Sequence, residues 1–336
     1  MIRLLYTGDW HLRGTNPRNR LDDYKEALKA KLREVFNLAE KWDVAAIVVP
    51  GDIFDRPEVS IAVLLEYAEV LKESKKPIYT TPGNHDIYGY NVATYWRSSL
   101  RLLSMLVPQL TVVTDPKEVQ VFTDGVRTAV EITFMPYSAK MDINGYGYGP
   151  EAGTYTEGPI NNYSQPYRIH VAHGMLLDHK PPFDRYTLIQ DVQTTADMVL
   201  TGHDHLGYGI YKRPDGKVFC NLGALPRLSA SINEIERSVQ VALITVDIFG
   251  ASIEPIKLET ARPGDEILDR SRIEAEKERA YAMDSFSTLI ENAAGEKVIL
   301  DVNQIIEEIA KLEGAAPHIV KAALEVIDQQ REKVKP

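Results

Sequence analysis

Five short apolar runs, residues 2–6, 47–49, 77–80, 169–172 and 198–200, are each followed by residues that bind metals. No other feature constrains the fold of the chain as much. Runs this short, rich in Ile, Val and Tyr and ending in Gly, Asp or His, read as buried strands with polar loops at their carboxyl ends. The loops carry, in order, Asp9-Trp10-His11, Gly51-Asp52, Gly83-Asn84-His85-Asp86, His173-Gly174 and Gly202-His203-Asp204-His205. Open α/β sheets build their ligand sites at that edge. Asp9, His11, Asp52, Asn84, His173, His203 and His205 supply enough mixed nitrogen and oxygen ligands for two divalent metals, which predicts a binuclear metallohydrolase.

Ligand type narrows the chemistry. Carboxylates and neutral imidazoles suit Mn2+, Fe2+ or Zn2+, and a ligand set without Cys argues against a thiolate structural zinc site. Asp52 is the expected bridging carboxylate, because two metals roughly 3.5–4 Å apart need a shared anion to offset their repulsion. A water between them would lose a proton near neutral pH and serve as the nucleophile. His85 follows Asn84 immediately and is expected to face substrate, as general acid for the leaving oxygen or as a transition-state donor. Asp55, three residues after Asp52, is expected to accept a hydrogen bond from His85 and fix its tautomer.

Together these residues follow the pattern D-x-H, G-D, G-N-H-D/E, H, G-H-x-H, and over about residues 1–225 the chain resembles the calcineurin-like metallophosphoesterases. The resemblance implies a four-layer α/β/β/α sandwich. It also implies one metal on Asp9, His11, Asp52 and His205, a second on Asp52, Asn84, His173 and His203, and a catalytic His85. Gly8 to Leu12, Gly51 to Pro57 and Asn221 to Arg227 further resemble SbcD-like DNA-repair nucleases, partners of SbcC-type coiled-coil ATPases in bacteria and phages. That narrower likeness implies a manganese-dependent exonuclease and endonuclease acting on DNA, an ATPase partner and a homodimer. Some relatives carry His at the place of Asp55, and the chain after Ile256 is short for a DNA-capping domain plus an ATPase-docking segment.

Composition is that of an ordinary soluble protein, 44% hydrophobic and 26% charged. No apolar run approaches the ~20 residues that span a bilayer, so no membrane partner is expected. Strand-like sequence begins within two residues, which reads as leaving no room for a signal peptide, and the lone Cys220 fits a packed strand in a reducing cytoplasm. The net charge of −10 argues against tight duplex binding by this chain alone. Yet two divalent cations would return positive charge locally, and Arg13, Arg18 and Arg20 stand in the loop beside the ligands, where they are candidates to hold flanking phosphates.

Helical spacing of Leu21, Tyr24, Leu28, Leu32, Val35, Leu38, Ala39 and Trp42, and of Ile61, Leu64, Leu65, Ala68 and Leu71, predicts two crossover helices. Residues 239–246 and 252–258 read as a closing hairpin. Within the irregular segment 142–167, Tyr146, Tyr148, Tyr155 and Tyr163 either stack on unpaired bases or belong to a surface excursion. The expected division is a catalytic domain over 1–262 and a helical appendage over 263–336, with helices at 266–292, 302–312 and 317–334, the last two of which dock a partner or pack on each other and on the core. Of the other histidines, His170 is expected to face the core, and His179 and His318 the surface. A phosphoesterase for small diesters or monoesters and a non-catalytic partner-binding scaffold are the other function classes considered. No P-loop is present to support ATP hydrolysis by this chain.

Overall fold

A computed structural model describes residues 1–149, 165–271, 274, 279 and 320. The chain divides into two compact units, Met1–Asp269 and Arg270–Pro336. In chain order the first unit contains β1 (Ile2–Tyr6), α1 (Tyr24–Lys41), β2 (Ala46–Val49), α2 (Ile61–Lys72), β3 (Ile78–Thr80), α3 (Ser99–Leu106), β4 (Leu110–Val112), β5 (Val119–Thr123) and β6 (Ala129–Met135). After the segment outside the described residues come β7 (Tyr167–Gly174), the short β8 (Leu176–Leu177) and β9 (Thr187–Leu188), β10 (Met198–His203), β11 (Gly209–Lys212), β12 (Val218–Asn221), α4 (Ile232–Glu236), β13 (Gln240–Asp247), β14 (Gly250–Lys257) and α5 (Gly264–Ile267).

Two six-stranded sheets form the core, in the orders β14-β13-β1-β2-β3-β4 and β11-β12-β10-β7-β6-β5. Strands β1 to β4 pair in parallel, as do β6, β7, β10 and β12. Parallel strands with both faces covered read as unbroken apolar runs, which is why all five runs were visible in the sequence. Period-two alternation then sorts each strand between two cores. Ile2, Leu4, Tyr6, Ala46 and Val48 meet Val130, Phe134, Ile169, Val171, Met198, Leu200 and Cys220 between the sheets. Leu5, Ile47, Val49 and Ile78 face the helices instead, packing with Leu28, Leu32, Val35, Leu64, Ala68 and Leu103.

The helices begin where short polar side chains cap them. Asp23 accepts from the Glu26 amide at the start of α1 and Ser60 from the Val63 amide at the start of α2. The apolar stripe expected for α2 is rotated from its reading: Leu64, Ala68 and Leu71 are buried together with Tyr67 and Val70, whereas Ile61 and Leu65 are exposed. The architecture is the expected α/β sandwich, with one difference in composition. Among the described residues, the layer over the outer face of the second sheet is made of irregular segments and short turns carrying Tyr137, Met141, Tyr148, Ile189 and Val192. The expected helix from Glu266 is interrupted at Leu268, which bridges to Arg20 as an isolated β-pair. The helices expected at 302–312 and 317–334 lie outside the described residues apart from Val320, as do Tyr155, Tyr163 and His318. No described helix is long and apolar enough to cross a membrane.

Candidate metal centre

The five ligand motifs stand at the carboxyl ends of β1, β2, β3, β7 and β10, and their side chains meet at one place. Backbone bonds lock the loops together: Trp10 and His11 donate to the carbonyl of Asp52, and Leu225 donates to that of Asp9. Three ligand residues take left-handed backbone, His11 at φ 46°, Asp52 at φ 48° and His203 at φ 77°. A non-glycine residue there is strained by about 1–3 kcal/mol, and such outliers gather where a site fixes side-chain direction. Two glycines make room for the carboxylates. A Cβ on Gly83 would stand 2.1 Å from Asp52 Oδ1, and one on Gly202 would stand 2.2 Å from Asp9 Oδ1.

The expected ligands converge in Asp9, His11, Asp52 and His205, and in Asp52, His173 and His203, while a third group joins His11 to Asp55 and His85. Asp52 belongs to the first two. Its Oδ1 accepts from the His85 amide at 2.8 Å, which leaves Oδ2 directed between the imidazoles, 3.3 Å from His173 Nε2 and 3.7 Å from His11 Nε2. Asp9 is oriented in the same way, its Oδ2 accepting from the His203 amide at 2.9 Å. Asn84 Oδ1 lies 2.9 Å from His173 Nε2, while His173 Nδ1 faces the Pro50 carbonyl at 3.0 Å and therefore carries the proton. His173 Nε2 thus points at two oxygens and is the ring atom that would bind a cation. On the other side, His11 Nε2 and His205 Nε2 are only 3.0 Å apart.

Buried acceptors facing one another repel unless a positive charge stands between them. Asp9 Oδ1 and Asp52 Oδ2 are buried without hydrogen-bond partners, as expected of carboxylate oxygens reserved for cations. The donor set fits two divalent ions, with Asp52 shared. Burial holds His11 well below the usual imidazole range and lowers His203 to about 3 and His205 to about 4, so these three stay neutral as ligation requires. Burial opposes charge on His173 too, but the neighbouring Asp52 overrides it and raises the group to about 9. That proton occupies the place between His173 and the carboxylate where a cation would sit, and metal binding would displace it. Asp9 is raised to about 7, first by burial, whereas Asp52 is held below the ordinary carboxylate range by His173 and His11 in spite of its burial.

Around this cluster the structure rearranges several expected roles. His85 Nδ1 lies 2.8 Å from the backbone carbonyl of Asp55, not from its carboxylate. The carbonyl can only accept, so it fixes the tautomer that the Asp55 side chain was expected to fix. The carboxylate is turned to Arg13 Nη1 at 3.2 Å, with Oδ1 3.9 Å from His11 Nδ1. Arg20 is not available to substrate. Its buried guanidinium grips Asp22 at 2.7 and 2.8 Å, donates to the Arg227 carbonyl and stacks over Tyr24. Arg18 is exposed and Arg13 partly so. Tyr148 is fully buried with its hydroxyl on Asp142 Oδ1, so it is a core residue that stacks on no base, and Tyr146 packs beside it. His170 is buried between Thr133 Oγ1 and the Gly147 carbonyl, and His179 is exposed beside Asp178.

Two residues went unassigned in the sequence. Asp86 is fully buried and accepts from the amides of Gly83, Ile53 and Phe54, tying the Asp52 loop to the Asn84 loop. Its signal was present, since it ends the G-N-H-D motif. Tyr137 packs its ring 5.3 Å from His203 and 5.9 Å from His173, and no spacing in the sequence marks it.

This chain belongs to the calcineurin-like phosphoesterase family, which matches residues 2–207. Its clustered Asp and His residues could hold divalent metal ions, as in that family. The Bacillus subtilis metallophosphoesterase YhaO is 25% identical over 191 residues, covering 54% of this chain and 41% of that protein. The chain therefore spans less than half the length of this curated relative. Among solved structures, a dimetal phosphatase from Danio rerio is 14% identical, covering 76% of this chain and 98% of that one at a TM-score of 0.44. An archaeal phosphodiesterase is 12% identical, covering 76% and 100%, at a TM-score of 0.37.

Proposed function

We propose that this chain is a manganese-dependent DNA nuclease that cleaves phosphodiesters with two divalent cations, one held by Asp9, His11, Asp52 and His205 and the other by Asp52, Asn84, His173 and His203. The observation that carries a polymeric substrate is the openness of the ligand edge. Asn84, His85, His203 and His205 are only partly buried, and a cavity of about 270 Å3 borders His203 and His205 on the Leu228–Ser231 side. A rim open in this way admits a strand that continues past the reacting phosphate.

Two divalent cations at these ligands supply Lewis-acid charge and an activated water. The chain's own groups do the remainder. His85 donates Nδ1–H to the Asp55 carbonyl, which leaves Nε2 as the ring atom for the leaving oxygen, to which the ring would give a proton from its doubly protonated form. The partly exposed Arg13 and the exposed Arg18 hold a flanking phosphate in this reading, Arg13 from its ion pair with Asp55. A net charge of −10 leaves little long-range attraction for duplex DNA. The reading therefore includes an SbcC-like coiled-coil ATPase that supplies the basic surface, and a homodimeric assembly. Manganese-dependent cleavage of single-stranded, duplex and hairpin DNA, run beside bis-p-nitrophenyl phosphate with His85→Ala as control, tests it. Polymer cleavage lost in the variant supports the nuclease. Turnover of the small diester alone, with or without a basic ATPase present, points to a small-molecule phosphodiesterase instead.

A further inference from the structure

The turn Tyr88–Asn91 closes with the Asn91 amide on the Tyr88 carbonyl at 3.2 Å, and both central residues are left-handed, Gly89 at φ 57° and Tyr90 at φ 59°. Two consecutive positive φ values are the pattern of a type I′ turn, whose central positions favour Gly, Asn and Asp. Gly89 suits its place. Tyr90 does not, because a bulky side chain in this region strains the backbone. Its ring is also half in solvent, at 51% exposure, so burial does not compensate the strain.

What the ring does have is position. Its centroid lies 5.5 Å from that of Tyr137, and Tyr137 in turn lies against the ligands His203 and His173. Tyr137 cannot itself receive a ligand, being buried with the Arg185 guanidinium 5.7 Å over its ring. Arg185 is held there by the carbonyls of Ser138, Ala139 and Met141. Tyr90 is thus the exposed end of an aromatic series that begins at the metal ligands. The turn does not depend on the ring for its shape. Thr94 Oγ1 accepts from the Tyr88 amide and donates to the Asn91 carbonyl, and Asn91 Oδ1 accepts from the Ala93 amide.

We propose that Tyr90 is the stacking platform for an unpaired nucleobase of the strand whose phosphodiester lies at the metal ligands. The inference rests on the nuclease reading and deepens it, by making a single-stranded or locally opened substrate the preferred one. A base within a duplex has both faces covered, whereas an unpaired base presents a π-face that any of the four bases offers. Strain retained at an exposed aromatic beside a site is explained by contact with a ligand that the isolated fold does not show.

The test uses the full chain loaded with manganese, as wild type, Tyr90→Asn and Tyr90→Phe. Asn removes the ring yet suits the left-handed backbone, so its fold is secure, and Phe keeps the ring. One arm compares cleavage of a thymidine oligonucleotide with the same strand carrying abasic sites. The other follows quenching of 2-aminopurine fluorescence in a bound single strand. The preference for the base-bearing strand is expected to fall about tenfold in Tyr90→Asn, within the range of base–aromatic stacking, and to persist in Tyr90→Phe. Quenching is expected to weaken in parallel, while Tm in Tyr90→Asn stays level or rises. An unchanged preference and unchanged quenching in Tyr90→Asn overturn the platform and leave the nuclease reading standing. If the wild type cuts neither strand, the nuclease reading fails, and the fluorescence arm decides the platform alone.

Discussion

Replacing Arg20 by alanine separates two roles for an arginine that the sequence places beside the substrate. The guanidinium is 1% exposed and holds Asp22, itself 12% exposed, through a two-point contact. It also satisfies the Arg227 carbonyl and covers the ring of Tyr24. Removing one partner of a buried pair leaves an uncompensated charge, at about 3–5 kcal/mol. Residual solvent contact at Asp22 favours the lower end, so Arg20→Ala is expected to lose about 3 kcal/mol. At roughly 2 °C per kcal/mol for a domain of this size, Tm falls by about 6 °C. Arg20→Lys keeps the charge but not the fork and is expected to recover only part of the loss. The assay is urea unfolding of each variant beside the salt dependence of KM for a single-stranded oligonucleotide. An unaltered unfolding midpoint with a raised KM and a shallower salt slope would refute this reasoning and return Arg20 to the substrate.

His85→Ala is expected to bind metal as the wild type does, by calorimetric titration, while kcat falls about 10²–10⁴-fold; unchanged turnover would remove His85 from proton transfer. Gly83→Ala puts a methyl 2.1 Å from Asp52 Oδ1 and 2.4 Å from the Asp52 amide, neither of which can give way freely. Metal affinity should drop by about 10–100-fold, and full affinity by elemental analysis after dialysis would show that Asp52 can shift without consequence. Lys31, buried with Nζ on the Leu225 carbonyl, is lowered to about 7, first by burial and then by Arg20, Arg227 and Arg237. Above pH 7 the unfolded chain keeps a lysine proton that the folded chain releases, so stability rises with pH toward the unfolded value and is lost as pH falls through about 7. Relative to Lys31→Met, the wild type should gain about 2 kcal/mol between pH 7 and 9 in urea unfolding, and parallel pH profiles would contradict the assignment.

The ligand edge was legible because two simple regularities coincide there. Parallel strands buried on both faces spell continuous apolar runs, and their carboxyl ends are where such sheets build sites. Asp9, His11, Asp52, Asn84, His173, His203 and His205 stand at those ends, and the structure brings them to one edge. What the sequence did not reveal depends on side-chain direction. Arg13, Arg18 and Arg20 share one loop, but only the fold turns Arg20 inward to Asp22. The distance from Asp52 to Asp55 suits a carboxylate partner for His85, yet the chain offers the Asp55 carbonyl, which no side-chain pattern encodes. The α2 stripe was misplaced because Ile61 and Leu65 share helical spacing with Leu64 and Ala68, and only the packed neighbours decide which face is covered. Tyr137 and Tyr90 reach the site through tertiary contact alone.

Asp52 stands in both ligand groups and would be shared between the two cations. The most direct test is the stoichiometry of manganese bound by the wild type and by Asp52→Ala, measured by calorimetric titration with elemental analysis of the loaded protein. Two ions per wild-type chain, with occupancy of both sites falling together in the variant, is the predicted result. Two ions retained by Asp52→Ala, or a single ion on the wild type, would contradict a centre built on that carboxylate.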